Sequence, residues 1–340
     1  MRPLLFGVLI IGLVLGGLAA DAEAQDIDEL FRKVSPSVVV IRAKGREVGS
    51  RGLVTFSEIG SGVVIPDGKV MTAAHVVHAM DEIVVEFLGG ELVPARVIAS
   101  EPAADLSLLK LAHVPKAAQP ARLGDSDKVR VGQQVLVIGA PYGLSHSFSA
   151  GWISAKWPPN TAYRQMPLAE FFQTTATINT GNSGGPLFNM AGEIIGIVSH
   201  NISKGGGSEG VGFVVTMKSA RYFLMDREWA WIGLEGTVVT DELAEVFNVP
   251  GGSGLLVSVV PKDSPAWNMG ILGGDRIATI RGQDIVVRGD VILSMAGIPI
   301  KSAADVPKIR EKIGAMSTGE LFKASVLRAG EVIELTGKAP

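Results

Sequence analysis

The 340-residue chain has no cysteine. That excludes a disulfide framework, a thiol nucleophile, a cysteine-ligated metal and a lipid carried on an N-terminal cysteine. Charge is sparse too: 19% of residues are charged and the net charge is −3. No run of lysines and arginines occurs, which speaks against nucleic acid or an anionic membrane held by electrostatics. Histidine is scarce, with five in all: His75, His78, His113, His146 and His200. The one long apolar run is at the N-terminus, where "LLFGVLIIGLVLGG" follows Arg2 and precedes "LAADAEAQD". A basic start, an apolar centre and small residues at A-x-A spacing read as a signal peptide over residues 1–24, cut after Ala24 or Ala22. An uncleaved anchor is the alternative, since Leu4 to Ala20 falls only slightly short of the ~20 residues of a spanning helix. Either way the body lies outside the cytoplasm, in a bacterial periplasm, and meets a membrane only if the segment stays uncleaved.

What is abundant is apolar sequence, at 47%, and glycine, with 42 residues. Low hydrophobicity and high net charge, the signature of disorder, are both missing. From Val34 onward short runs such as "SVVVIRAK", "GSGVVI", "EIVVEFL", "LSLLKLA", "QVLVIGA" and "EIIGIVS" alternate with turn signals such as "PDG" and "LGG". Many short strands at this spacing predict a mainly β body, a sandwich or barrels, rather than βαβ units. Residues 217–227 have the apolar spacing of a short connecting helix. A second glycine-rich β pattern begins at Trp231. It includes a hairpin at 275–288, a helix over 302–313 with Ser302 as its N-cap, and a closing hairpin about "RAGE".

Chemistry concentrates in three places. His75 in "MTAAHVV" directly follows an apolar strand, where a general base would be rigidly carried. His75 and His78 at i, i+3 could also suggest a metal pair, but no third ligand pattern accompanies them, so no metal is expected. Asp105 opens "DLSLLKL", placed to orient an imidazole or simply to form a turn. Ser183 stands in "TINTGNSGGPLF", where glycines free the backbone amides of Gly181 and Ser183 to receive an oxyanion. The pattern G-x-S-x-G is met at 181–185, yet the order His, Asp, Ser is not that of an α/β-hydrolase.

Together "TAAHVV", "DLSLLKL" and "TINTGNSGGPLFN" resemble the trypsin-like serine proteases of the HtrA/Deg family, and the module after them resembles a PDZ domain. The resemblance implies a chymotrypsin/trypsin-like pair of six-stranded β-barrels over residues 27–216, a linker at 217–229 and an α+β PDZ-like domain at 230–340. It implies Ser183 as nucleophile, His75 as base and Asp105 as orienting acid, with no cofactor. Ile178 would line the primary pocket, and "WIGL", Trp231, Ile232, Gly233 and Leu234, would receive a peptide C-terminus on backbone amides. Unfolded proteins would be substrates, C-terminal peptides ligands, and a homotrimer the assembly. The chain departs from the family's "TDAAIN" at Thr175, from its arginine at Thr180, and in the later loop at Glu209. These departures leave the resting state of activation open. A catalytically silent peptide-binding or chaperone protein on the same fold is the alternative function, and an esterase fits the barrel pattern less well.

Overall fold

A computed structural model describes residues 27–340 apart from positions 50, 51, 145, 164, 204 and 206; the expected signal segment at 1–24 lies outside the described residues. After helix α1 (Ile27–Val34), six strands form a closed barrel: β1 (Val38–Gly49), β2 (Gly52–Ile65), β3 (Lys69–Thr72), β4 (Met80–Glu86), β5 (Leu92–Glu101) and β6 (Leu106–Leu111). Their order around it is β1-β2-β3-β6-β5-β4. One-turn helix α2 (Ala74–Val77) joins β3 to β4.

The short β7 (Arg122–Leu123) then leads to β8 (Gln134–Gly139), β9 (Ser147–Trp157), β10 (Phe171–Thr174), β11 (Pro186–Asn189), β12 (Glu193–Asn201) and β13 (Gly212–Thr216). These run β8-β9-β10-β13-β12-β11, and pairing of β11 with β8 closes the ring. The connectivity of the first barrel is thus repeated strand for strand. Alternation along the strands explains how the barrels both fill and stack. In β8, Val135 and Val137 point into the second barrel, while Leu136 and Ile138 face the layer shared with the first. In β6, Leu109 and Leu111 fill the first barrel and Leu106 and Leu108 face that same layer. A strand buried on both faces reads as an apolar run, as β8 does from Val135 to Ile138, while β6 is broken by the buried Ser107 and the exposed Lys110.

Helix α3 (Met217–Arg221) continues as a π-turn over Tyr222–Asp226, in agreement with the helix expected at 217–227. Thr216 caps it by accepting from Ser219 N. The second module is a five-strand path, β14 (Glu235–Thr240), β15 (Ser253–Val259), β18 (Val291–Met295), β20 (Leu321–Arg328) and β21 (Glu331–Lys338). Strand β19 (Ile298–Pro299) adds to β18, and β16 (Arg276–Ile280) with β17 (Gln283–Val287) makes the expected hairpin. Helices α4 (Asp241–Val246), α5 (Pro265–Asn268) and α6 (Asp305–Gly314) cover this sheet. The closing hairpin turns at Ala329 and Gly330, both with positive φ, the geometry of a tight two-residue turn. One expectation is corrected: Ser302 does not cap α6. Its N–H and hydroxyl both donate to Asp305 Oδ2, so the carboxylate of the helix reaches back instead.

Candidate active site

His75 stands on α2, whose other residues, Ala74, Val76 and Val77, are buried and fix the turn beneath it. This one-turn helix directly follows β3, the strand that reads "KVMT". Asp105 lies on the turn between β5 and β6, in the left-handed region at φ 54°. Glu101 shapes that turn by accepting from Ala103 N. Asp105 is 1% exposed, and its carboxylate accepts from three donors. These are His75 Nδ1 (2.9 and 3.0 Å), His75 N (3.1 Å) and Ser199 Oγ (2.5 Å). The bond to Nδ1 places the imidazole proton there and leaves the Nε2 lone pair outward, as a general base requires. Burial pulls the His75 pKa down, but the hydrogen bond and charge of Asp105, aided by Glu58, outweigh it and raise it above 6.5.

Ser183 lies between β10 and β11, the connection equivalent to the one that carries His75 in the first barrel. Two glycines make its turn possible. Gly181 has φ +99°, and a Cβ there would meet Ala140 O at 2.2 Å. Gly184 has φ +83°, and its Cβ would meet Thr72 Oγ1 at 2.1 Å. The carbonyl of Thr180 accepts from Tyr142 N (2.8 Å). Because carbonyl and amide point oppositely across a trans peptide, the Gly181 N–H is turned the other way. Among the described residues neither that amide nor the Ser183 amide donates to a protein acceptor, so both are available to a developing oxyanion. The Ser183 hydroxyl donates to the carbonyl of Ser199 (3.1 Å) rather than to His75.

Two residues absent from the sequence reading hold this arrangement. Ser61, on β2 and fully buried, donates its N–H to Ser183 O (2.8 Å) and its hydroxyl to Gly181 O (2.6 Å), and accepts from Ala140 N. It therefore pins the Ser183 turn to the first barrel. Ser199 touches both halves of the site, Asp105 by its hydroxyl and Ser183 by its carbonyl. Its only sequence signal is a polar residue closing the apolar run "EIIGIVS".

The other expected residues fall as follows. Ile178 is 2% exposed and packs in the second barrel, its Cδ1 against Gly212. Thr175 Oγ1 accepts from Trp152 N, and Glu209 Oε1 accepts from Ser203 Oγ and Gly205 N within its own loop. His78 does not converge with His75. Its Nδ1 meets Ser100 Oγ (2.7 Å), and burial, with the charge of Arg310, lowers its pKa to about 4. Trp231 packs against the first barrel, and its buried Nε1 has no hydrogen-bond partner among the described residues. Ile232 O and Gly233 O accept from Ala266 N and Ser264 Oγ, which fasten the "WIGL" turn onto α5. From α6, Arg310 reaches back across the modules to Glu101 Oε2 (2.8 Å) and Ser100 O (2.5 Å), four and five residues before Asp105.

Comparison with known proteins agrees with this geometry. Residues 60–197 match the trypsin-like peptidase domain family. A probable periplasmic serine endoprotease DegP-like of Ectopseudomonas mendocina is 37% identical over 279 residues, 80% of this chain and 54% of the relative. The chain thus spans about half the length of the first curated relatives it matches. A DegP-like protein of Pseudomonas putida (strain W619) is 36% identical, with 95% of this chain and 71% of the relative covered. The periplasmic pH-dependent serine endoprotease DegQ of Escherichia coli is 30% identical over 94% of this chain and 71% of its own. Among solved structures, the HtrA-type protease AlgW with a tripeptide matches at a TM-score of 0.52 and 29% identity, covering 91% of this chain and 95% of that one. The periplasmic location read from the N-terminal segment is also that of the named relatives. With its repeated barrels, its Asp105–His75 pair and its glycine-framed serine, the chain belongs to the HtrA/Deg family of trypsin-like serine endoproteases.

Proposed function

We propose that the chain is an ATP-independent endopeptidase of unfolded or misfolded proteins, with Ser183, His75 and Asp105 as its catalytic residues. Ser183 Oγ bonds to the scissile carbonyl carbon while His75 Nε2 takes its proton. The Gly181 and Ser183 amides bind the oxyanion, and Asp105 holds His75 and balances its charge. His75 then returns the proton to the leaving amine, and water cleaves the acyl-enzyme. The observation that carries this reading is the buried Asp105 carboxylate, which holds the His75 ring by two contacts of about 3 Å. Ile178, closing the space against Gly212, would leave a shallow primary pocket suited to small aliphatic side chains.

Residues 27–216 form the proposed catalytic domain, 217–229 the linker and 230–340 a PDZ-like domain. Edge strand β14 pairs on one side with β15, leaving the other for a peptide C-terminus that the Trp231–Leu234 turn would receive. The contacts from Arg310 to Glu101 and Ser100 support a regulatory role for this domain. Phe31 packs on the half-exposed Phe148, and Tyr142 and Leu144 are more exposed still; such uncovered apolar side chains suit a homotrimer.

One observation favours the silent alternative: the Ser183 hydroxyl rests on Ser199 O. Cleavage of casein by the wild type, with and without C-terminal peptides and beside Ser183→Ala, separates the two. The endopeptidase reading expects cleavage by the wild type alone. Equal activity in the alanine variant, or none in either under any condition, contradicts it.

A further inference from the structure

His200 follows Ser199 on β12 and is enclosed by three aromatic rings. Phe213 stacks on it (5.1 Å, 10°), Phe171 meets it edge-on (5.6 Å) and Tyr163 leans on it (4.3 Å). Its Nδ1 lies 3.1 Å from Ser199 Oγ, and its Nε2 is buried without a partner among the described residues. The Ser199 hydroxyl has one hydrogen, and the Asp105 carboxylate at 2.5 Å is an acceptor only. The thioether of Met166, at 3.6 Å, is the weaker competitor for it. With that hydrogen directed at Asp105, Ser199 Oγ can only accept from His200, so the proton of His200 sits on Nδ1. Packing alone would be better served by a phenyl ring, because a histidine here leaves a buried nitrogen unpaired.

We infer that His200 is a positioning residue for the catalytic pair. Its Nδ1–H, donated to Ser199 Oγ, fixes the direction in which that hydroxyl donates to Asp105, and through Asp105 the plane of the His75 ring. The inference rests on the triad reading proposed above. It adds a fourth link, His200 to Ser199 to Asp105 to His75, carried on the same strand whose Ser199 carbonyl holds the resting nucleophile.

The test uses two variants that packing and hydrogen bonding rank oppositely. His200→Phe keeps the ring and loses the donor; His200→Asn loses the ring but places an amide N–H where Nδ1 stood. The readouts are kcat and KM on casein-derived peptides and the rate of Ser183 labelling by a fluorophosphonate, with thermal melts to verify folding. The expected result is a kcat and labelling rate about tenfold lower for His200→Phe at unchanged KM, the rate equivalent of one hydrogen bond. His200→Asn should remain within about twofold of wild type, and His200→Phe should add nothing in a Ser199→Ala background. A phenylalanine variant as active as wild type, an asparagine variant worse than it, or additive losses with Ser199→Ala would overturn the proposal. So would imidazole ¹⁵N spectra of the wild type above neutral pH that show His200 protonated on Nε2, even if the variants fail to fold. A wild type that is not labelled at all contradicts the triad reading itself, whereas a labelled wild type with an indifferent His200→Phe removes only this inference.

Discussion

The two barrels share one connectivity, and the same connection of each carries a residue of the proposed triad, yet the two residues are held differently. In the first barrel His75 is bonded through ring and backbone to Asp105, on a turn shaped by Glu101. In the second, Ser183 sits on a turn built by positive-φ glycines, its hydroxyl directed to Ser199 O. The His75–Asp105 half is therefore bonded within itself, while the Ser183 hydroxyl is bonded to a backbone carbonyl of β12 instead. If His75 and Ser183 act as base and nucleophile, as proposed, changes around β12 would alter the nucleophile without disturbing the His75–Asp105 pair.

Asp105→Asn breaks the fixed half. Its amide would leave His75 with the wrong tautomer, and kcat should fall about 10⁴-fold, as in a triad that loses its acid. Steady-state peptide hydrolysis checks this, and a loss below tenfold would mean that the first barrel is not set by Asp105. Gly181→Ala breaks the adaptable half. A Cβ 2.2 Å from Ala140 O forces the turn to move, and losing one oxyanion donor should cost about 10²–10³ in kcat with little change in KM. Two variants of equal severity would remove the distinction between the halves.

The smallest effect concerns stability and sharpens the contrast between α2 and its C-cap residue His78. His75 gains a carboxylate and its pKa rises, whereas for His78, three residues on, burial and the charge of Arg310 outweigh its hydrogen bonding and push its pKa down to about 4. A histidine with a depressed folded pKa contributes its full stability above the unfolded value near 6.5 and loses it as pH falls toward about 4. Over that window the loss attributable to His78 should approach about 3 kcal/mol. Urea midpoints of wild type and His78→Gln across this range would check it; parallel curves would show that His78 is not the group responsible.

The barrels were legible because their strands are rich in Val, Ile and Leu, β8 being apolar on both faces from Val135 to Ile138 and β6 broken only by Ser107 and Lys110. Strand β9 was not, since Phe148 and Trp152 point outward and invert the usual pattern. His75, Asp105 and Ser183 were legible as motifs. Ser61, Ser199 and His200 were not, because a buried polar residue inside an apolar strand has no local signature. Its partners lie up to 120 residues away and are brought together only by barrel packing. The cap of α6 was misread for a related reason: Ser302 and Asp305 both satisfy the local pattern, and the carboxylate is the stronger acceptor for the backbone amide of Ser302.

The most direct test of the central claim is the rate of fluorophosphonate labelling of the full chain against pH, with the adduct located by mass spectrometry. The account predicts one adduct, on Ser183, forming at a rate that declines as pH falls through a midpoint above 6.5, because His75 must be neutral to accept the proton and Asp105 raises its pKa. No adduct, an adduct elsewhere, or a rate that stays flat well below that midpoint would contradict it.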